Sequence, residues 1–282
     1  MPITADTAHA LCDITSAFYR AHAASFSSTR QAPWAGWARV LECALPDGGA
    51  RPRTLRVFDL ACGNLRFGRF AAERFPEAAV DLFAVDNCDE LACGEGAARL
   101  DPQRADARLR PSDAEAARAR GGSLRVSYQS LDVAAALFEE GRLSRMLDAP
   151  ACDLCVSFGF MHHLPLPAQR AEALSALVDR ARPGGTVAVS FWRFLSDPGL
   201  VAKARESTAR ACAELGLPKL DAGDCVLGWQ GEPGAWRYCH SFSEEEVDAL
   251  AAGVAQRAEA VARFSADGRN GALNEYLVLR AR

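Results

Sequence analysis

Short apolar runs separated by longer stretches of helical spacing set the pattern of this chain. Leu55 to Leu60 is too short for a helix and apolar enough for a strand buried on both faces. Similar runs at 79–85, 124–129, 152–158 and 185–192 predict four more strands. Helices are expected between them, near 66–75, 88–99, 133–146 and 167–181. This alternation predicts an α/β fold with a doubly wound, mostly parallel sheet. Two helices precede it, over 4–24, with Leu11, Ile14, Phe18 and Tyr19 apolar, and over 33–44, with Pro33 in its first turn. A helix from about Ser243 and two strands, at 258–264 and 273–280, follow and bring the sheet to seven strands. The chain thus divides into a helical cap (1–54), a core (55–194), an insertion (195–242) and a closing helix and strand pair (243–282). Asp101 to Gly122, rich in Arg, Ala and Asp, reads as a solvated insertion within the core.

Ligands of open parallel sheets bind outside the carboxyl ends of the strands. At the first such end stands Val57-Phe-Asp-Leu-Ala-Cys-Gly-Asn64, and at the second Ala84-Val-Asp86-Asn87. Gly63 lets backbone N–H groups approach a ligand, and the Asp86 carboxylate could take two ribose hydroxyls. The run is not the G-x-G-x-x-G of dinucleotide sites, because Ala61, Gly63 and Leu65 hold the alternating positions. One glycine suits a cofactor without phosphates. The third strand ends in Gln129-Ser-Leu-Asp132-Val133, the fourth in Ser157-Phe-Gly-Phe-Met-His-His163, and the fifth in Phe191-Trp-Arg193.

In combination these segments resemble class I S-adenosylmethionine (SAM) methyltransferases across roughly Leu55 to Ser190. The resemblance implies that Asp59, Ala61, Cys62, Gly63, Asn64, Asp86, Asn87, Asp132, Val133, Ser157 and Phe158 hold SAM. Asp59 would orient the methionine amino end. Asp132 would take the adenine amino group, with the Val133 N–H on a ring nitrogen. Each Asp alone could instead cap a turn. The departures from motif I are Ala61 and Leu65, and Leu65 would have to point away from the ligand.

A narrower resemblance lies outside the core. Ser25-Phe-Ser-Ser-Thr-Arg30-Gln-Ala-Pro-Trp34, His162-His163-Leu-Pro-Leu-Pro-Ala-Gln-Arg170, and Leu227-Gly-Trp with Arg237-Tyr238-Cys-His-Ser-Phe242 are similar to segments of tRNA carboxymethyluridine methyltransferases. Leu166 and Gln169 depart from that pattern. The resemblance implies a carboxylate acceptor on a wobble uridine and, as in some members, a small partner subunit. Arg30 and Arg237 would then clamp an anion, Trp34, Trp229 and Tyr238 would stack on a base, and His162 or His163 would face the substrate, the other being buried. A small-molecule O- or N-methyltransferase is the alternative, and a non-catalytic SAM-fold partner subunit is a third reading.

Bulk composition narrows the choice only slightly. A net charge of −4, with Lys203 and Lys219 the only lysines, gives no general field for nucleic acid and leans toward a small acceptor. No apolar run is long enough for a membrane span, and the N-terminus lacks the marks of a signal peptide, so a cytoplasmic protein is expected. The ten cysteines read as reduced thiols, and Cys152-Asp-Leu-Cys155 falls within a strand pattern without a second ligand pair. No metal site is expected.

Overall fold

A computed structural model describes residues 3–45, 52–93 and 123–282. The chain starts with α1 (Ala5–Ser28) and α2 (Ala35–Ala44). There follow β1 (Thr54–Leu60), α3 (Arg66–Arg74), β2 (Ala79–Asp86), α4 (Asp89–Cys93) and β3 (Ser123–Ser130). Then come α5 (Val133–Ala136), α6 (Arg142–Met146), β4 (Cys152–Ser157), α7 (Pro167–Arg180) and β5 (Ala181–Trp192). The insertion carries α8 (Pro198–Leu215), β6 (Asp224–Leu227) and β7 (Arg237–His240), and the chain closes with α9 (Glu244–Gly253), β8 (Ala258–Ala266) and β9 (Asn274–Ala281). The expected insertion at 101–122 and the end of the expected helix over 88–99 lie outside the described residues.

The main sheet has seven strands in the order β3-β2-β1-β4-β5-β9-β8. The first five run parallel, while β9 is antiparallel to both β5 and β8. The apolar run of β1 explains why the sheet is covered on both sides. Successive side chains point to opposite faces. Phe58 and Leu60 pack into one cluster with Leu174 and Leu177 of α7. Leu55 and Val57 pack into the other with Trp37, Val40 and Leu41 of α2. The cap is therefore part of the core, and Trp37 is buried in it.

Four sequence expectations need correcting. The single helix over 133–146 is two short ones, because Gly141 turns left-handed (φ +66°) ahead of α6. Pro33 lies before the N-cap Trp34, so it precedes α2 rather than opening its first turn. β5 begins four residues early, and its register on β4 shifts there. Gly185 permits this, since a Cβ would stand 2.8 Å from the Arg182 carbonyl oxygen. Finally, the Trp- and Gly-rich insertion contains an antiparallel hairpin, β6–β7, too short to register as periodicity.

A buried polar network anchors that hairpin. Tyr238 donates to Asp224 at 2.5 Å, and His240 bridges Asp224 (2.7 Å) and Glu246 of α9 (2.9 Å). Arg170 of α7 binds Glu246 at 3.2 Å and the carbonyl oxygen of Leu164 at 2.8 Å. The hairpin, α7, α9 and the segment after β4 are thus locked together.

The cap docks through Gly36, where an added Cβ would lie 2.4 Å from the Tyr276 ring of β9. Ala would gain about 1 kcal/mol of helix propensity over Gly. The collision with a fully buried ring outweighs it, at about 1–3 kcal/mol for overpacking. Gly36→Ala should therefore lower the urea midpoint with an unchanged slope. A stabilised variant would mean that α2 is only loosely seated on the sheet.

Candidate functional site

The turn after β1 is an unusual piece of backbone. Ala61, Gly63 and Leu65 all have positive φ, at 61°, 52° and 57°. Two of them carry a Cβ, at a cost of roughly 1–2 kcal/mol each. The Leu65 side chain is 2% exposed and packs into the core with Trp37 and Phe67, so it does point away from the cavity. The Gly63 N–H donates to one Asp86 oxygen at 2.8 Å, and the Cys88 N–H donates to the other at 2.9 Å. The tips of β1 and β2 are thereby clamped together.

A cavity lies over this turn, beneath α1. One end is acidic. Asp59 is 2% exposed, and burial, then the nearby Asp86 charge, pushes its carboxyl up to about 8. Asp86 is also pushed up by burial, against the pull of its backbone hydrogen bonds. Two desolvated carboxyls side by side favour a cation. The positively charged amino and sulfonium groups of SAM fit that demand, and each Asp86 oxygen keeps a lone pair for a hydroxyl.

The other end is aromatic and cationic. Tyr19 of α1 donates to His163 Nε2 at 2.8 Å, while His163 Nδ1–H donates to the Tyr238 carbonyl oxygen at 2.7 Å. The carbonyl fixes the tautomer, because it can only accept. Burial, with Arg237 and Arg30 adding repulsion, brings His163 down to about 3. Arg30 lies 3.8 Å over the Phe26 ring, and Arg237 stands 5.0 Å from Phe18 and 5.2 Å from Trp229. Burial and the neighbouring Arg237 pull the Arg30 pKa down. Among the described residues, neither guanidinium has a carboxylate within ion-pair distance. Arg66, lowered to about 10 by burial and by Arg30, adds a third cation to the lining.

α1 spans both ends. Asn87 donates to Ser16 at 3.2 Å, and Asn64 donates to Ser27 at 3.1 Å and to the Arg30 carbonyl at 3.2 Å.

Of the sequence-predicted cofactor residues, Asp59, Ala61, Cys62, Gly63, Asn64, Asp86, Asn87, Val133 and Phe158 line this cavity. Asp132 instead caps α5, accepting from the Ala135 N–H at 2.9 Å, and Ser157 is fully buried, bonded to the Leu60 carbonyl oxygen at 2.9 Å. Among the predicted acceptor-side residues, Arg30, Trp34 and His163 line it, whereas Arg237, His162, Trp229 and Tyr238 do not. His162 is buried behind His163, with its Nδ1 unpartnered. Both histidines are thus buried, and it is the hydrogen-bonded one that faces the cavity. Tyr238 has no exposed surface and Trp229 only 9%, so neither offers a stacking face; Tyr238 serves through its backbone oxygen. His162, His163 and Cys239 bring ligand atoms within 4.8 Å of one another, yet both His163 nitrogens are engaged and two arginines repel a cation there.

Tyr19, Phe26, Ser16 and Thr15 of α1 also line the cavity and were not predicted from sequence. Tyr19 stood in the apolar series of a helix and read as core.

No family model and no curated protein matches the chain. Solved structures do. A SAM-dependent methyltransferase from Methanosarcina mazei aligns with a TM-score of 0.52 at 14% identity, over 82% of this chain and 94% of its own. A protein from Bordetella parapertussis described as a possible exported protein aligns with a TM-score of 0.50 at 15% identity, over 87% of this chain and 65% of its own. The antiparallel β9 inserted between β5 and β8 departs from the all-parallel order of dinucleotide domains. The fold is that of the class I SAM-dependent methyltransferases. At this identity the likeness concerns the fold alone, and no helix among the described residues is long and apolar enough to cross a membrane.

Two outcomes follow from the acidic end. Asp86→Ala should weaken SAM binding about 10- to 100-fold, the loss of hydrogen bonds to a charged group. It should also cost stability, because two backbone N–H groups lose their acceptor. Unchanged affinity in calorimetry would remove SAM from this end of the cavity. Asp59 gives a pH signature. Its native pKa of about 8 exceeds the ordinary aspartate value of 3.8, so the native state holds the extra proton between those values. The stability of the ligand-free protein should fall as pH rises through that window, less so in Asp59→Asn. SAM affinity should rise over the approach to about pH 8 as the carboxylate forms, with proton release visible in buffers of different ionisation enthalpy. A flat profile shared by the parent and Asp59→Asn would refute the assignment.

Proposed function

We propose that this protein is a SAM-dependent methyltransferase that alkylates an anionic oxygen, most simply a carboxylate, on a small acceptor. The observation that carries this reading is the polarity of the cavity, with buried carboxyls at one end and guanidiniums lacking carboxylate partners at the other. Asp59 and Asp86 suit the cationic cofactor, while Arg30 suits the acceptor's oxygens, which it can hold bidentately. When bound, SAM supplies an electrophilic methyl group.

The rest of the chemistry asks little of the protein. A carboxylate is already ionised at neutral pH, so alignment replaces base catalysis. His163 is suited to this, since its depressed pKa keeps it neutral and its two hydrogen bonds hold the Tyr19 hydroxyl in place. Tyr19 stays protonated, its pKa raised mainly by burial. The Tyr19 phenol and the Phe158 and Phe26 rings exclude water around the reacting oxygen.

A small acceptor is favoured over the wobble uridine of tRNA for two reasons. The expected stacking residues Trp229 and Tyr238 are buried, and the cavity is roofed by α1. The net charge of −4 points the same way.

The test is incubation with methyl-labelled SAM and either a pool of small organic acids or total RNA. Label should enter the acid fraction and be released by mild alkali, as an ester requires. Label in RNA would support the tRNA reading, and none in either fraction would support a non-catalytic role. Arg30→Ala should keep SAM affinity within about twofold and lower kcat/KM for the acid about 10- to 100-fold, the range of a charged hydrogen bond. Equal loss of SAM binding would place Arg30 on the cofactor instead.

A further inference from the structure

The proton of the Tyr19 hydroxyl is already used, and that decides what Tyr19 can offer a ligand. His163 Nδ1 stands 2.7 Å from the Tyr238 carbonyl oxygen, which only accepts, so the hydrogen of the neutral ring sits on Nδ1. Nε2 is then a lone pair without a hydrogen. At 2.8 Å it accepts from Tyr19, and the phenol has no second proton to give. Tyr19 lines the cavity, and its oxygen has lone pairs alone left to present there. Among the described residues, no hydrogen bond other than the one to His163 involves that oxygen.

The guanidiniums at the same end have the opposite polarity. Arg30 and Arg66 both line the cavity, and their side chains donate without being able to accept. Phe26 links Arg30 to Tyr19, with its ring centroid 3.8 Å from Arg30 Cζ and 4.9 Å from the centroid of the Tyr19 ring. A short ligand seated there meets a guanidinium and, one ring away, an oxygen that only accepts. A bare carboxylate is served by the first and repelled by the second. An ammonium would suit Tyr19, but Arg30 and Arg66, with Arg237 near Arg30, disfavour a further cation. A neutral O–H close to an anionic oxygen satisfies both groups.

We propose, building on the carboxylate methyltransferase reading, that the acceptor is a short hydroxy acid selected by Tyr19, with the carboxylate on Arg30 and the hydroxyl donating to Tyr19 Oη. The hydroxyl is recognised and not alkylated. Alkylating it would require its proton to leave. Tyr19 stays protonated and His163 Nε2 is occupied, so neither takes that proton. The new C–O bond therefore forms at a carboxylate oxygen, as the methyl–sulfur bond of SAM breaks and leaves its electron pair on sulfur. The product is a hydroxy ester with its O–H intact.

The test compares acids on one carbon skeleton. They are 3-phenylpropanoate, its hydroxy relatives 3-phenyllactate and 3-hydroxy-3-phenylpropanoate, phenylpyruvate with an oxo group, and phenylalanine with an ammonium. Affinity is read by calorimetry on the full chain saturated with S-adenosylhomocysteine, and turnover is read with methyl-labelled SAM. At least one hydroxy acid should exceed 3-phenylpropanoate about tenfold in affinity and in kcat/KM, the contribution of one hydrogen bond. Phenylpyruvate, which accepts but does not donate, should be no better than 3-phenylpropanoate, and phenylalanine should fall below the hydroxy acid. Tyr19→Phe removes the lone pairs and keeps the ring, and should shrink the preference for the hydroxy acid to about twofold or less. A role confined to packing would instead lower all the acids together and leave their ratio alone. The proposal is overturned if hydroxy acids match 3-phenylpropanoate, if phenylpyruvate or phenylalanine exceeds them, or if Tyr19→Phe keeps the preference. Ester formation on the other acids would then leave the carboxylate reading standing. A preference in binding with no label in an ester would uphold recognition by Tyr19 and overturn the carboxylate reaction, and the absence of binding by every acid would overturn both.

Discussion

Like charges buried side by side without neutralising partners are the constraint on which this structure turns. Asp59 and Asp86 stand together at one end of the cavity and Arg30 at the other, with Arg237 behind it against Phe18 and Trp229 rather than in the lining. Neither pair would be retained for stability, since desolvated like charges repel in a medium that screens them poorly. Their protonation equilibria show the strain, with carboxyls pushed up and the Arg30 guanidinium pulled down. A ligand pair of cation and anion, placed in that order along the cavity, relieves both ends. Methyl transfer from a sulfonium to a carboxylate supplies such a pair.

The scaffold maintains this arrangement by indirect means. Asp86 is fixed by two backbone donors from the turn and from the start of the next helix. Arg237 is fixed by its strand, and that strand by the Tyr238–Asp224–His240–Glu246 network behind it. The same strand orients His163 through the Tyr238 carbonyl, and through His163 the Tyr19 hydroxyl. A residue with no exposed surface, Tyr238, thus governs a side chain in the cavity without entering it. The late insertion and the N-terminal cap are joined at this point, with the Tyr238 N–H donating to Thr15 of α1 at 3.0 Å.

How much of this was legible in the sequence depends on the range of the signal. The strands were plain, because burial on both faces leaves uninterrupted apolar runs. The acidic end was legible from position alone, since Asp59 and Asp86 stand at the tips of two such runs. Leu65 was read as a departure, and the fold absorbs it by turning the side chain into the core. The acceptor end was harder. Tyr19 has the spacing of a core residue, and only the docking of α1 over the sheet turns it into a cavity wall. Tyr238 and Trp229 were open to a stacking role, with core of the insertion the alternative for Trp229, and the short β6–β7 pairing beside which both are buried has no periodic signature. Asp132 offered an adenine contact or a helix cap, and its carboxylate is engaged as the cap.

The cap also sets the terms of entry. The space beneath α1 is about 150 Å³, smaller than the roughly 300–1,000 Å³ of small-molecule sites, so a bound cofactor and acceptor require α1 to shift outward. The ties that resist such a shift are both apolar and polar, since Leu11 and Phe18 of α1 are buried against the hairpin and its loop, and Ala23 against α4. The polar ties include the Thr15, Ser16, Ser25 and Ser27 hydrogen bonds, the Tyr19–His163 pair and the His22–Glu232 contact. Water can replace the polar ties at small net cost, unlike the apolar seats of Leu11 and Phe18 and of α2. α1 also loses helical geometry at His22, where φ is −119° and ψ is 18°, which separates a long segment that packs on the hairpin through Leu11 and Thr15 from a short one that reaches Asn64 through Ser27. Ligand entry can therefore move the segment after His22, where Ala23 alone is buried, while Leu11 and Phe18 of α1 and Trp37, Val40 and Leu41 of α2 hold the rest of the cap on the core.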